Sequence, residues 1–210
     1  MWQAISYYSV LALNSVLGVV GIRLYEEPRF EIVGSLENGI EIRRYGPRLA
    51  AEVELGEVGD ARHDEAFGLL FAYIAGTNRT SALENQRVAM TVPVEVRVGE
   101  RVAMTVPVQV LDPDAAAAMR FYLPAKFTRD TAPTPTDARV RLVTSPTETI
   151  AVSRYSGSGA DGMQRRRELV AGLAGSPWQP VGEPYTLSYD APFTLPFVRR
   201  NEAAVSVIAR

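Results

Sequence analysis

Residues 86–110 read QRVAMTVPVEVRVGERVAMTVPVQV, and the octet RVAMTVPV occurs in them twice, at 87–94 and at 101–108. Val or Met takes every even position from 88 to 98 and from 102 to 110, while Ala, Thr, Pro, Glu, Arg and Gln fill the odd ones around Gly99. A period of two predicts strands, with the turn at Gly99. Directly paired residues of an antiparallel ladder face the same side. An odd loop over 99–101 therefore pairs Val98 with Val102, Val96 with Met104 and Val92 with Val108, giving a hairpin with one strongly apolar face. Pro93 and Pro107 lack a ladder donor and are expected at edges or bulges. Periodicity by itself asks for nothing more than a core hairpin.

The motif content asks for more. MTVPV is followed by MRFYLP at 119–124, and YEEP (25–28), IEIRRYGP (40–47), AFGLLFAYIAGTN (66–78) and YDAPFTLPFVRRNE (189–202) accompany them in order. Together these resemble the SOUL or haem-binding protein family, in the bacterial type that doubles MTVPV, over about residues 25–210. The resemblance implies a distorted barrel of two related halves with helices outside. It also implies haem or another tetrapyrrole in an apolar cleft, with basic residues meeting the propionates. Some animal members have a histidine, proposed as iron ligand, in the motif that reads IEIRRY here; this chain has Arg44 at that position. Arginine stays protonated and is no ordinary axial donor, but it can pair with a propionate.

The length suits one domain, and 47% hydrophobic residues are enough for a sizeable core. A net charge of −2 gives no basic surplus for nucleic acid. Cysteine is absent, which excludes disulfides and thiolate metal sites, and the single histidine, His63, excludes a multi-histidine centre.

Residues 1–24, MWQAISYYSVLALNSVLGVVGIRL, carry no charged side chain before Arg23. That length matches the ~20 apolar residues of a membrane span, and Trp2, Tyr7 and Tyr8 suit a headgroup-level belt. Gln3, Ser6, Asn14 and Ser15 lower its hydrophobicity, so an in-plane helix or one docked on the domain or on a membrane complex stays open. No basic n-region or cleavage site marks a signal peptide. Arg23, Arg29, Arg43 and Arg44 follow the segment and favour a cytoplasmic domain, against Glu26 and Glu27; a periplasmic one stays open.

Strands are expected near 30–33, 39–45, 49–55, 119–123, 140–143, 149–155, 185–189 and 203–208, with helices from Asp60 to Gly76 and over 163–173. A Pro-containing extended linker over 131–137 separates two halves, about 25–130 and 138–210. The fold class is α+β: a pseudo-symmetric antiparallel barrel of two βαβ-type halves with two flanking helices, preceded by the apolar helix of residues 1–24. On the first helix Phe67, Leu70, Phe71 and Ile74 recur at helical spacing as the buried stripe; on the second, Met163, Val170 and Leu173 do. Arg165, Arg166 and Arg167 read as a solvated helix face.

No catalytic constellation stands out: the one histidine has no GxSxG or cysteine beside it, so no enzyme activity is assigned. Methionines and aromatics offer adaptable surface for a flat ligand. With the family resemblance, the site is expected in a hollow between the first helix and the valine-rich ribbon. Its residues are His63, Phe67, Leu70, Phe71, Met90, Met104 and Phe121, with Arg44 for propionates and His63 as the candidate metal ligand. The expected function is carriage of haem or a related tetrapyrrole by a membrane-associated protein. The alternative is a non-catalytic subunit of a membrane complex that binds no small molecule.

Overall fold

The computed structural model describes residues 25–55, 60–97, 117–157, 161–190 and 194–210. Residues 1–24, and with them the expected N-terminal helix, lie outside the described residues, as does the second RVAMTVPV octet with Met104 and Pro107. Among the described residues no helix is long and apolar enough to cross a membrane.

The strands are β1 (Phe30–Ser35), β2 (Glu41–Tyr45), β3 (Arg48–Glu54), β4 (Asn78–Arg79), β5 (Val94–Arg97), β6 (Ala118–Tyr122), β7 (Thr134–Pro135), β8 (Arg141–Ser145), β9 (Glu148–Tyr155), β10 (Trp178–Ser188) and β11 (Asn201–Ala209). The helices are α1 (Asp60–Ala75) and α2 (Gly162–Gly172). Nine strands form one antiparallel sheet in the order β1-β2-β9-β11-β10-β5-β6-β3-β8, curled into a half-barrel, while β4 and β7 pair separately. The expected linker over 131–137 thus contributes a short strand, β7, held against the segment that follows α1.

Both helices pack on one face of the sheet. α1 covers β3 and β6 over a core of Leu49, Ala51, Val53, Leu70, Tyr73, Met119 and Phe121. α2 covers β9, β10 and β11 over Ile42, Ala151, Leu169, Leu173, Ala203 and Val205. In α2 the inward residues are Leu169 and Leu173, whereas Met163, expected inside, is half exposed in the first turn. Arg165 pairs with Glu168 on the outside as expected, but Arg166 donates to Thr186 Oγ1 at 3.1 Å and ties the helix to β10.

The ribbon differs from its expected form. Among the described residues of the first octet's strand, 94–97 enter the sheet, after a cis Val92–Pro93 peptide. β5 is paired on both sides: Val96 lies opposite Met119 of β6 and Thr186 of β10. Each edge of a strand accepts one partner, so a hairpin pairing Val96 with Met104 has no free edge here. Pro93 sits just outside the strand, which spares β5 a missing donor.

The face turned away from both helices carries a row of charge. Reading across paired strands, Arg141, Glu52, Arg120, Glu95, Leu187, Glu202 and Arg154 stand directly opposite one another. Around the row lie Tyr45, Ile150, Val152, Tyr185 and Tyr189. Cross-strand opposite charges each contribute roughly 0.2–1 kcal/mol, so the row fixes register as well as charge balance. At the two ends of the sheet, β2 runs into β3 through Gly46-Pro47 and β8 into β9 through Pro146-Thr147, so the chain itself joins opposite ends of the curl.

Candidate functional site

Two regions of the described chain gather chemistry: the outer flank of α1 and the charged inner face. α1 ends where expected, at Gly76, whose φ of 117° suits glycine, and Thr77 N–H closes back on Ala72 O at 2.9 Å. Its buried stripe is Ala66, Leu70, Tyr73 and Ile74. Phe67 and Phe71, expected on that stripe, are 36% and 39% exposed. Their angular position explains this: at 100° per residue they fall on the edge of the stripe, one helical turn apart, so the sheet covers only one side of each ring.

The two rings lie nearly parallel, 6.2 Å apart with planes 12° from one another. Phe121, fully buried on β6, meets Phe67 edge-on at 5.3 Å and fixes its orientation. His63, half buried, precedes Phe67 by four residues and so continues the same line along the helix. Met90 is partly buried against the core cluster that contains Phe121. The structure therefore groups Phe67, Phe71 and Phe121 on one side of α1, with His63 one turn earlier along the same line.

Leu70 lies beneath, fully buried, as a support rather than an open surface. Leu70, Met119 and Phe121 pack together between α1 and the sheet, so the apolar surface open among the described residues here is this outer flank; the second half of the ribbon, which the expected hollow needs, lies outside them. Arg44 is elsewhere: it sits on β2, in the half of the sheet covered by α2, paired with Glu31 at 3.7 Å. No group of three metal-binding His, Asp or Glu side chains occurs among the described residues. A cavity of about 440 Å³ opens on the opposite flank of α1, over Leu55, Ala66 and Leu69, rimmed by Arg62, Arg139 and Arg141. Arg139 is engaged there by Asp137 and Glu65, and its N–H donors hold the Asp137 carboxyl down at about 2.

On the inner face the arginines and glutamates satisfy one another. Arg120 bridges Glu52 at 2.6 Å and Glu95 at 3.1 Å; Glu95 also accepts from Arg97 and from the Tyr122 hydroxyl, each at 2.7 Å. Burial would raise the Glu95 carboxyl, but Arg97, Arg120 and the tyrosine hydrogen bond outweigh it and hold it below the usual range. Glu202 behaves alike, with burial opposed by Arg43, Tyr189 and Arg200. Burial first, then the Glu95 charge, pushes Tyr122 far above an ordinary phenol, so it stays a donor. The sequence reading missed this face, because Glu and Arg in alternating strands look like solvated positions; some of the partners that bury them, Arg120 for Glu95 and Arg43 for Glu202, lie 25 and 159 residues away.

Compared with curated protein sequences, the chain finds no match. Among solved structures, the EcmrR C-terminal domain aligns with a TM-score of 0.56 at 7% identity, covering 81% of this chain and 98% of that one. EcmrR in its DNA-bound transcription complex aligns at 0.59 and 6% identity, over 100% of this chain and 65% of that one. An uncharacterized conserved protein from Listeria innocua aligns at 0.52 with 14% identity, covering 80% and 92%. At such identities these likenesses speak for the fold alone. The sequence model of the SOUL heme-binding protein matches residues 25–206, nearly all of the described chain. The chain belongs to the SOUL heme-binding family.

Proposed function

We propose that this protein binds haem or a related tetrapyrrole on the outer flank of α1 and serves as a carrier or buffer rather than a catalyst. The observation that carries the reading is the parallel, one-third-exposed pair Phe67 and Phe71, braced from below by Phe121. Family membership supplies the ligand class. The doubled MTVPV motif fits the bacterial type of that family.

The side chains present fit such a group. Phe67 and Phe71 offer an apolar surface for a conjugated plane, and Met90, polarisable and unbranched, adapts to its edge. In this reading His63, half buried one turn before Phe67, is the residue that would hold iron. When bound, haem contributes a redox-active, Lewis-acidic iron. Arg44 has no part in propionate binding in this reading, given its position on β2. Association with a membrane through residues 1–24, with the domain on the cytoplasmic side, belongs to the same proposal.

Titration of the purified protein with haemin tests it. A saturable Soret shift, lost in Phe67→Ala with Phe71→Ala, supports the reading; a flat titration, or one that the double variant leaves unchanged, removes it. Deleting residues 1–24 should move the protein out of the membrane fraction without altering that titration.

A further inference from the structure

Where β2 bends into β3 there is a separate cavity of about 310 Å³, walled by the 26–29 segment, Gly46-Pro47 and the chain after β6. It shares no residue with the aromatic flank of α1. That volume is at the lower end for small-molecule sites, which run from about 300 to 1,000 Å³. Leu49, Leu123 and Phe127 give it an apolar wall.

Its polar side is unusual. The Arg48 guanidinium lies between the rings of Tyr45, at 4.1 Å, and Tyr122, at 4.4 Å, and its side chain is 10% exposed. Among the described residues Nη2 hydrogen-bonds to Glu148 at 3.0 Å, while Nε is buried with no partner. Glu148 is shared, since it also accepts from Arg97 and from Ser206. A buried guanidinium nitrogen without an acceptor is costly, and the two tyrosine faces hold the group in place. Arg29 lines the same cavity and has no ion pair among the described residues. The one carboxylate there, Glu26, accepts the Ala125 N–H at 2.9 Å. Arg29 and Arg48 thus border an apolar cavity whose lining holds one carboxylate, Glu26, while Glu148 outside the lining pairs with Arg48.

We propose that this cavity is a second binding site, which takes a small carboxylic acid with an apolar body. The carboxylate lies toward Arg29 and Arg48, and the body rests against Leu49, Leu123 and Phe127. Guanidinium matches a carboxylate in both charge and donor geometry, and a monoanion of this kind supplies the acceptor that Arg48 Nε lacks and a counter-charge for Arg29.

Calorimetric titration of the full-length protein with benzoate, and with benzyl alcohol as the uncharged control, tests the site. Benzoate should bind saturably and benzyl alcohol should not. Arg29→Gln, on an exposed segment outside the charge row, should weaken benzoate about tenfold or more. Ala125→Phe, which narrows the cavity while keeping the backbone N–H for Glu26, should do the same, and neither change should alter haemin binding. No saturation with benzoate, equal binding of benzyl alcohol, or benzoate binding untouched by both variants would overturn the proposal and leave the Arg48 donors to water. Loss of haemin binding alone leaves it standing, because the two sites share no side chain.

Discussion

Arg43 grips Glu202 through two nitrogens, Nη1 to Oε2 at 2.8 Å and Nη2 to Oε1 at 3.2 Å, with both side chains buried on the inner face. The same carboxylate accepts from the Tyr189 hydroxyl at 2.6 Å, and Arg200 adds a second cation at 2.9 Å. Removing Arg43 leaves Glu202 buried with only Arg200 and Tyr189 among these partners, and removing Glu202 leaves Arg43 with only Glu41. Arg43→Ala should therefore lower unfolding free energy by about 3–5 kcal/mol in urea, and the double change Arg43→Met with Glu202→Leu should recover much of that loss. Equal losses in the single and double variants would contradict this account.

Acid should unfold the protein through Glu95 and Glu202. Both carboxyls are held below their unfolded value, so their contribution is complete above about pH 4.5 and disappears as pH falls through the folded values. Stability from about pH 5 to 7 should be flat with respect to these two groups and should drop below. Glu95→Gln removes one titrating carboxylate, and the acid limb of the stability curve should become shallower in that variant.

Phe67 and Phe121 touch one another, yet their truncations should differ. Phe121 fills the core under α1, so Phe121→Ala should cost about 3–5 kcal/mol. Phe67, partly exposed at the edge of the stripe, should cost about 1 kcal/mol or less while haemin affinity drops. Thermal melts paired with Soret titrations of both variants separate support from contact.

His63→Ala should change the absorption bands of bound haem and leave binding of metal-free protoporphyrin intact. Fluorescence titration with the metal-free ring checks the second half; a parallel loss of both would assign His63 a packing role.

Gly68, in the middle of α1, faces open space, since a Cβ built there meets nothing within 4 Å. Gly68→Ala should stabilise the protein by roughly 1 kcal/mol through helix propensity. A loss of stability on urea unfolding would show that another part of the chain needs that space.

The elements and the family were legible in the sequence because strand alternation, helix spacing and the motif order are local signals. Helical spacing gave Phe67 and Phe71 to the stripe, but spacing does not say which edge of a stripe the sheet covers. The doubled octet suggested a hairpin, whereas the first copy's strand finds its neighbours in Met119 and Thr186, a choice made by the whole sheet. The buried roles of Glu95 and Glu202 were not legible, because acids are seldom buried without partners and two of theirs, Arg120 and Arg43, come from other strands. Arg44 was placed by motif position, and only the strand order shows that β2 belongs with α2.

The short links at Gly46-Pro47 and Pro146-Thr147 make the curl a band fastened by its own thread, with Arg48 and Glu148 clasping across the seam. Such a seam can widen without breaking a single rung of the ladder. The spacing of the two ends of the curl is thereby governed by four residues of connecting chain, and an extra residue spliced into either link should loosen that closure while the nine strands keep their neighbours.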